Sequence, residues 1–198
     1  MKDGKFIILC ICIFSMLVGA RNTFARQTNE IKSIILEESK LRINGTSNLN
    51  DFECIYEDEI EPDTLTHNVE VRDTSIAVQG DDISLKIDSF NCGKRGINRD
   101  FRKTLKSDVY PNIEIELLSI VSPNGQPTLA NIATTLGGVT REYTIVLRDY
   151  EFLDDLVIVS GTNEINMTDF GISPPTALFG MIKVKDQISI DFTLSIKR

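Results

Sequence analysis

Gln187–Arg198 reads QISIDFTLSIKR, and the fold is decided by how that stretch is read. Ile188, Ile190, Phe192, Leu194 and Ile196 take every second position, with Ser189, Asp191, Thr193, Ser195 and Lys197 between them. A period of two puts the apolar set on one face of an extended strand and the polar set on the other. The pattern recurs upstream. Ile83, Leu85 and Ile87 alternate with Ser84, Lys86 and Asp88, and Ile113, Ile115 and Leu117 alternate with Glu114 and Glu116. Tyr143, Ile145 and Leu147 alternate with Thr144 and Arg148. Turn-prone joints separate the runs: Asn44-Gly45, Gln79-Gly80-Asp81-Asp82, Pro123-Asn124-Gly125, Gly137-Gly138, Asp154-Asp155, and the segment 161–180 with Pro174-Pro175. Strand-length segments at roughly ten-residue spacing predict an all-β antiparallel fold rather than βαβ units. Closing the sheet into an eight-stranded barrel removes exposed edges, and the number of segments fits that solution. Such a barrel either fills its interior with side chains or holds one small ligand. Periodicity does not choose between the two.

One stretch breaks the β pattern. Asn91–Pro111, NCGKRGINRDFRKTLKSDVYP, reads as a short helix from about Arg99 to Ser107. Asn98 suits an N-cap, and Asp100 falls in the first turn, where a negative charge is favoured. Phe101 and Leu105 are four apart and share a face, and Tyr110-Pro111 ends the helix. The stretch gathers Lys94, Arg95, Arg99, Arg102, Lys103 and Lys106 in a chain of net charge −8. These cations read either as a solvated helix face or as an anion cradle, and a helix laid over a barrel end by Phe101 and Leu105 would present arginines at the rim.

The whole chain has 198 residues, 41% hydrophobic and 25% charged, which fits one globular domain plus a processed leader. Its acidic balance excludes nucleic acid as the main partner, because duplex binding needs an extended basic face. Lys2 and Lys5 precede the apolar run Phe6–Ala20, and Thr23-Phe24-Ala25 follows as a small-x-small cleavage site. We read residues 1–25 as a secretory signal peptide and 26–198 as the mature domain. Cleavage removes Lys2, Lys5, Arg21 and Asp3, leaving a more acidic chain, and it removes Cys10 and Cys12. Cys54 and Cys92 remain, in a compartment where a disulfide persists. Cys54 shares a face with Phe52 and Tyr56, whereas Cys92 falls opposite the Ile83-Leu85-Ile87 face unless a bulge intervenes. A disulfide and two buried thiols are therefore both open, and two cysteines with no clustered histidine make a poor metal site.

Four stretches carry a family resemblance: GTSNLNDFEC (45–54), FNCGKRGINRDFRKTLKSDVYPNIEIEL (90–117), LGGVTREYTIVL (136–147) and GTNEINMTDFGISPPTALFGMIKVKDQISIDFTL (161–194). Together they resemble the YceI-like family, most closely its exported, Bacteroidetes-type branch. The resemblance implies a lipocalin-like, extended eight-stranded antiparallel barrel with one short helix inserted between strands. It also implies an apolar tunnel that holds a polyisoprenoid chain, a quinone or a polyprenyl phosphate, in the periplasm. The inward rows named above would line that tunnel, and Arg95, Arg99 and Arg102 would meet a phosphate headgroup. Transient membrane contact for lipid exchange, and a monomeric or homodimeric state, go with that reading. The family often has His-Asp where this chain has Asn50-Asp51, and an asparagine does not titrate near neutral pH.

Two other function classes stand beside the lipid binder. A secreted structural or interaction barrel with a filled interior accounts for the same alternation. An enzyme would have to use His67, the single histidine, and no nucleophile motif accompanies it. We expect no catalytic residues, no cofactor beyond a bound isoprenoid, and no metal.

Overall fold

In a computed structural model of the chain, the described residues are 28–177 and 181–198. The leader, its cleavage site, Cys10 and Cys12 lie outside them. The strands are β1 (Thr28–Ile35), β2 (Lys40–Ser47), β3 (Asp51–Tyr56), β4 (Thr64–Val71), β5 (Ser75–Gly80), β6 (Ile83–Lys86) and β7 (Phe90–Asn91). After the helix α1 (Arg95–Leu105) come β8 (Asn112–Val121), β9 (Leu129–Leu136), β10 (Val139–Leu153), β11 (Leu156–Asn166), β12 (Thr176–Ala177) and β13 (Ile182–Lys197).

Eight strands close a ring in the order β1-β4-β5-β8-β9-β10-β11-β13, with β13 returning to β1, and every pairing is antiparallel. The predicted all-β barrel is the fold. It is extended because β8 and β13 each serve two partners along one edge. The end of β8 pairs with β5, and its start pairs with β6. The end of β13 pairs with β1 (Ile196↔Ile35), and residues 184–193 pair with β2. In the lower tier, β1, β4 and β5 therefore complete the wall. In the upper tier β2, β3, β7 and β6 do so, with Ile87–Ser89 joining β6 to β7 as one 3-10 turn.

That turn settles the parity of Cys92. It breaks the strand after Lys86, so that Phe90 and Cys92 point inward with Cys54 and Tyr56 although Ile83 and Leu85 also do. Cys54 and Cys92 form a disulfide, with Cα atoms 4.0 Å apart. Tyr56 meets Phe90 edge-on at 5.0 Å, and Phe90 meets Phe101 of α1 at 5.4 Å, so one aromatic line ties β3, β7 and the helix.

The sequence placed two boundaries elsewhere. Asn44-Gly45 lies inside β2, where Gly45 makes room for the Phe52 ring across the ladder, and the turn comes after Ser47. The helix starts at Arg95 rather than Arg99. Asn98 does not cap it: its Oδ1 accepts the Cys92 N–H at 2.7 Å and so holds the loop before the helix. Gly137-Gly138 is the strand-end turn expected of it, a two-residue hairpin with both φ values positive.

At the lip of β6, Asp58 and Lys86 meet. The Glu59 N–H (3.0 Å) and the Ser89 hydroxyl (3.1 Å) hold the Asp58 carboxyl below the usual aspartate range, with Lys86 3.7 Å away. Glu61, at 2.9 Å, raises Lys86.

Two outcomes follow. The disulfide closes 38 residues of chain, and replacing both cysteines with serine should lower unfolding free energy by about 3–4 kcal/mol, read by urea titration. A loss under about 1 kcal/mol would show that the aromatic line alone holds the join. Because the folded-state pKa of Asp58 is depressed, its contribution is present above the ordinary aspartate range and fades as pH falls below about 4. Asp58→Asn should flatten the acid limb of stability against pH, and an unchanged limb would refute this.

Candidate ligand-binding cavity

A largely apolar cavity of about 570 Å³ lies between the inward rows of the upper tier, α1 and the exposed face of β3, and is open to solvent. Its walls are the inward rows of the sheet. Ile182, Val184, Ile188 and Ile190 come from β13, and the register sets Ile190 beside Ile43 of β2 and Ile188 beside Ile165 of β11. Leu136 of β9 and Ile113 of β8 complete the circuit. Across the opening lies α1, contributing Ile97, Phe101 and Leu105, spaced four apart along one face. The helix ends at Lys106, whose N–H reaches the Arg102 and Lys103 carbonyls and whose left-handed backbone turns the Ser107 N–H back to the Arg102 carbonyl at 3.0 Å. Val109 and Tyr110 then bond back to the Lys106 carbonyl, and the Tyr110 ring packs over Gly138 of the β9–β10 hairpin. In this way the helix is anchored to the rim at both ends.

The charged residues lining the cavity are Asp51, Glu53 and Glu57, on the exposed face of β3 and just after it, and Asp100 with the cation Lys94 at α1. Arg42 sits 3.3 Å from Glu53, and Arg99 sits 3.4 Å from Asp100. The expected headgroup arginines do not reach the cavity. Arg95 is exposed, Arg99 has 79% of its side chain in water, and Arg102 turns to the far side of α1, 3.1 Å from the Asp88 carboxylate. The cause is helical phase. Starting at Arg95 directs Ile97, Phe101 and Leu105 inward, which sends positions 95, 99 and 102 outward.

The expected lining is corrected in the same way. Of the fourteen inward residues read from the sequence, Ile113, Ile188 and Ile190 border the cavity. Leu85 and Ile87 are sealed in the core, at 1% and 0% exposure, and Ile145 is buried too. Ile83, Ile115, Tyr143 and Leu194 pack against that core. Leu117, Leu147, Phe192 and Ile196 are half-buried and do not border the cavity. Burial raises the Tyr143 hydroxyl pKa, and the Asp169 carboxylate raises it further.

Sequence reasoning missed Ile43, Leu136 and Ile165. Leu136 was within reach, because the two-residue Gly137-Gly138 hairpin pairs it with Val139 and so fixes its side from Tyr143 and Ile145. Ile43 and Ile165 lie in stretches whose glycines and asparagines read as turns. Asn50 lines the mouth, in a turn where the Ser47 hydroxyl accepts the Leu49 and Asn50 N–H groups. Asn48 clamps that turn to β13, donating to the Met181 carbonyl at 2.9 Å and accepting the Lys183 N–H at 2.7 Å. His67 lies in β4, away from the cavity, with its Nε2 2.9 Å from the Asp81 carbonyl oxygen. Among the described residues, no group of three or more His, Cys, Asp or Glu is placed to hold a metal ion.

No curated protein matches the chain. The crystal structure of BcnA from Burkholderia cenocepacia superposes with a TM-score of 0.64 at 14% identity, over 82% of this chain and 98% of that one. A polyisoprenoid-binding domain from Saccharophagus degradans superposes at 0.53 with 11% identity, over 85% and 99%. At these identities the likeness is one of fold. The YceI-like domain model matches residues 61–196, leaving GTSNLNDFEC before its start. With β4 through nearly all of β13 inside the matched range, the chain belongs to the YceI-like domain family.

Proposed function

We propose that the protein is a periplasmic lipid-binding protein, exported by a leader that is removed after Ala25, and that it holds a polyisoprenoid chain in the upper cavity as carrier, store or sensor. The observation that carries this reading is the cavity itself: a largely apolar chamber of about 570 Å³, open to water, whose inward walls are aliphatic. Each buried methylene of a ligand contributes about 0.8 kcal/mol, so one prenyl chain supplies enough to offset the cost of association. The polyisoprenoid-binding domain of similar fold supports the ligand class. A disulfide between Cys54 and Cys92 fits an oxidising compartment.

The electrostatics of the mouth favour an uncharged head, such as a quinone, over a phosphate. Four carboxylates and Lys94 border the cavity, Arg42 and Arg99 are each engaged with one of those carboxylates, and Arg102 is engaged with Asp88. The competing reading, a filled structural barrel, leaves the cavity without a purpose. Ligand exchange requires passing contact with a membrane, since a prenyl chain is insoluble in water.

Protein recovered from its own cells should show added mass by native mass spectrometry, and organic extraction should release an isoprenoid. Recovery with no added mass, together with failure to take up an offered prenyl quinone, would sink the reading. Ile190→Asp places a carboxylate in the wall and should weaken uptake at least about tenfold with the circular-dichroism spectrum preserved. N-terminal sequencing of the periplasmic protein should begin at Arg26, and an intact Met1 would refute export by cleavage.

A further inference from the structure

Most of the basic stretch takes no part in the cavity. At about 100° per residue, Arg95, Arg99, Arg102 and Lys103 fall on one side of α1, and Lys106 continues that stripe at the helix end. Ile97, Phe101 and Leu105 take the other side and border the cavity. Arg95, Arg99, Lys103 and Lys106 are exposed. Arg99 meets its neighbour Asp100 and Arg102 meets Asp88, whereas Arg95, Lys103 and Lys106 form no ion pair among the described residues. Residues 94–108 carry six cations against Asp100 and Asp108, in a chain of net charge −8. The rest of the molecule is therefore strongly acidic.

The stripe has company. Ladder register gathers the β2–β3 turn, the start of β13 and the start of β8 at one end of the barrel. Ser47 lies beside Val184, Ile165 beside Ile188, and Glu114 beside Thr135, next to the Gly137-Gly138 hairpin. Each of those three connections exposes an aliphatic side chain: Leu49 (64%), Met181 (68%) and Val109 (68%). Val109 follows α1 directly, and Asn48 ties the turn that carries Leu49 to the Met181 carbonyl. Lys183 and Lys185 are exposed at the start of β13. Against them stand Asp51 and Glu53 of β3, the latter engaged by Arg42. Leu49 and Ile182 also line the cavity, so it reaches this same end.

A protein partner and a bilayer make different demands on such a surface. A stable protein interface has an apolar centre with charged residues depleted from it. Here single aliphatic side chains stand on separate turns among cations. A bilayer surface accepts that arrangement: aliphatic side chains enter the interfacial layer, and lysine and arginine heads stay level with the lipid phosphates. Resting on the lipid-binding reading above, we propose that the α1 end of the barrel is a docking face for an anionic phospholipid bilayer. Arg95, Arg99, Lys103 and Lys106 meet the phosphates, and Leu49, Val109 and Met181 enter the headgroup layer. The charge asymmetry sets orientation as well as affinity. An anionic surface repels the acidic body and attracts the basic end, which brings α1 and the cavity it borders against the lipid.

The test is flotation of protein recovered from its own cells with vesicles of phosphatidylcholine, or of phosphatidylcholine and phosphatidylglycerol in equal parts. Partitioning should be at least about tenfold higher on the mixed vesicles, and that excess should vanish as salt rises from about 0.1 M to 1 M. Arg95→Gln, Lys103→Gln and Lys106→Gln together should lower it at least about tenfold, with the circular-dichroism spectrum preserved. Val109→Asp with Met181→Asp should lower it about fivefold on both kinds of vesicle. Phe152→Asp, on the β10–β11 hairpin at the far end of the barrel, should change it less than about twofold. None of these residues borders the cavity, so every variant should take up a prenyl alcohol from detergent micelles as the unaltered protein does. Equal partitioning onto the two kinds of vesicle, or a glutamine set that partitions like the unaltered protein, overturns the docking face while continued uptake leaves the lipid-binding reading standing. A larger loss from Phe152→Asp than from the α1 variants overturns it too, by placing the contact at the wrong end. Failure of the unaltered protein to take up the alcohol is a different result: it removes the lipid-binding reading and this inference with it.

Discussion

β13 is the constraint on which the structure depends. It runs from Ile182 to Lys197, and one edge of it must satisfy two partners, β2 first and then β1. At about 3.3 Å per residue its sixteen residues reach roughly 50 Å, longer than a single barrel wall needs. The excess length makes two tiers possible. Its pairing with β2 shifts register between Val184 and Ile188. The other edge is paired without interruption to β11 from Leu156 to Asn166, so the strand has one rigid side and one divided side. The two tiers share that wall.

The upper tier needs a closure that β-ladders alone do not supply. β7 has two residues and pairs only with the end of β3, while β6 pairs with β8. Between them the wall is held by the Ile87–Ser89 turn, by the Cys54–Cys92 disulfide and by the Tyr56, Phe90 and Phe101 rings. The same rings seat α1. The helix thus lies over the opening because the wall beneath it has no continuous ladder to end on, and its cations face out because the apolar stripe must face in.

Much of this was legible in the alternation. Ile188 to Ile196 and Ile113 to Leu117 gave strand, face and antiparallel closure, since a period of two has few other physical meanings. The helix start was hidden because Lys94, its N-cap, makes no capping side-chain bond, and because Asn98 looks like a cap while its carboxamide serves Cys92. The turn at Ile87–Ser89 was hidden for a related reason. Ile87, Ser89 and Asn91 continue the spacing of a strand, and only the burial of Phe90 and Cys92 reveals that the face has switched. Cavity depth left no trace in the pattern. Ile113 borders open space and Leu117 does not, yet both are aliphatic, inward and four residues apart.

The lining of the cavity argues that it is retained rather than left over. An unfilled apolar space forfeits dispersion contacts along its whole lining, and larger side chains at a few positions would recover them. Two phenylalanine rings each lie over a cross-strand glycine, Phe192 over Gly161 and Phe52 over Gly45, and the Phe52 ring stands in the cavity wall. Around it the wall uses Ile43, Ile113, Leu136, Ile165, Ile188 and Ile190, mid-sized chains that line a space without crossing it. A fold stabilised only by its core would gain from larger side chains at these positions, and the mid-sized aliphatic wall forgoes that gain.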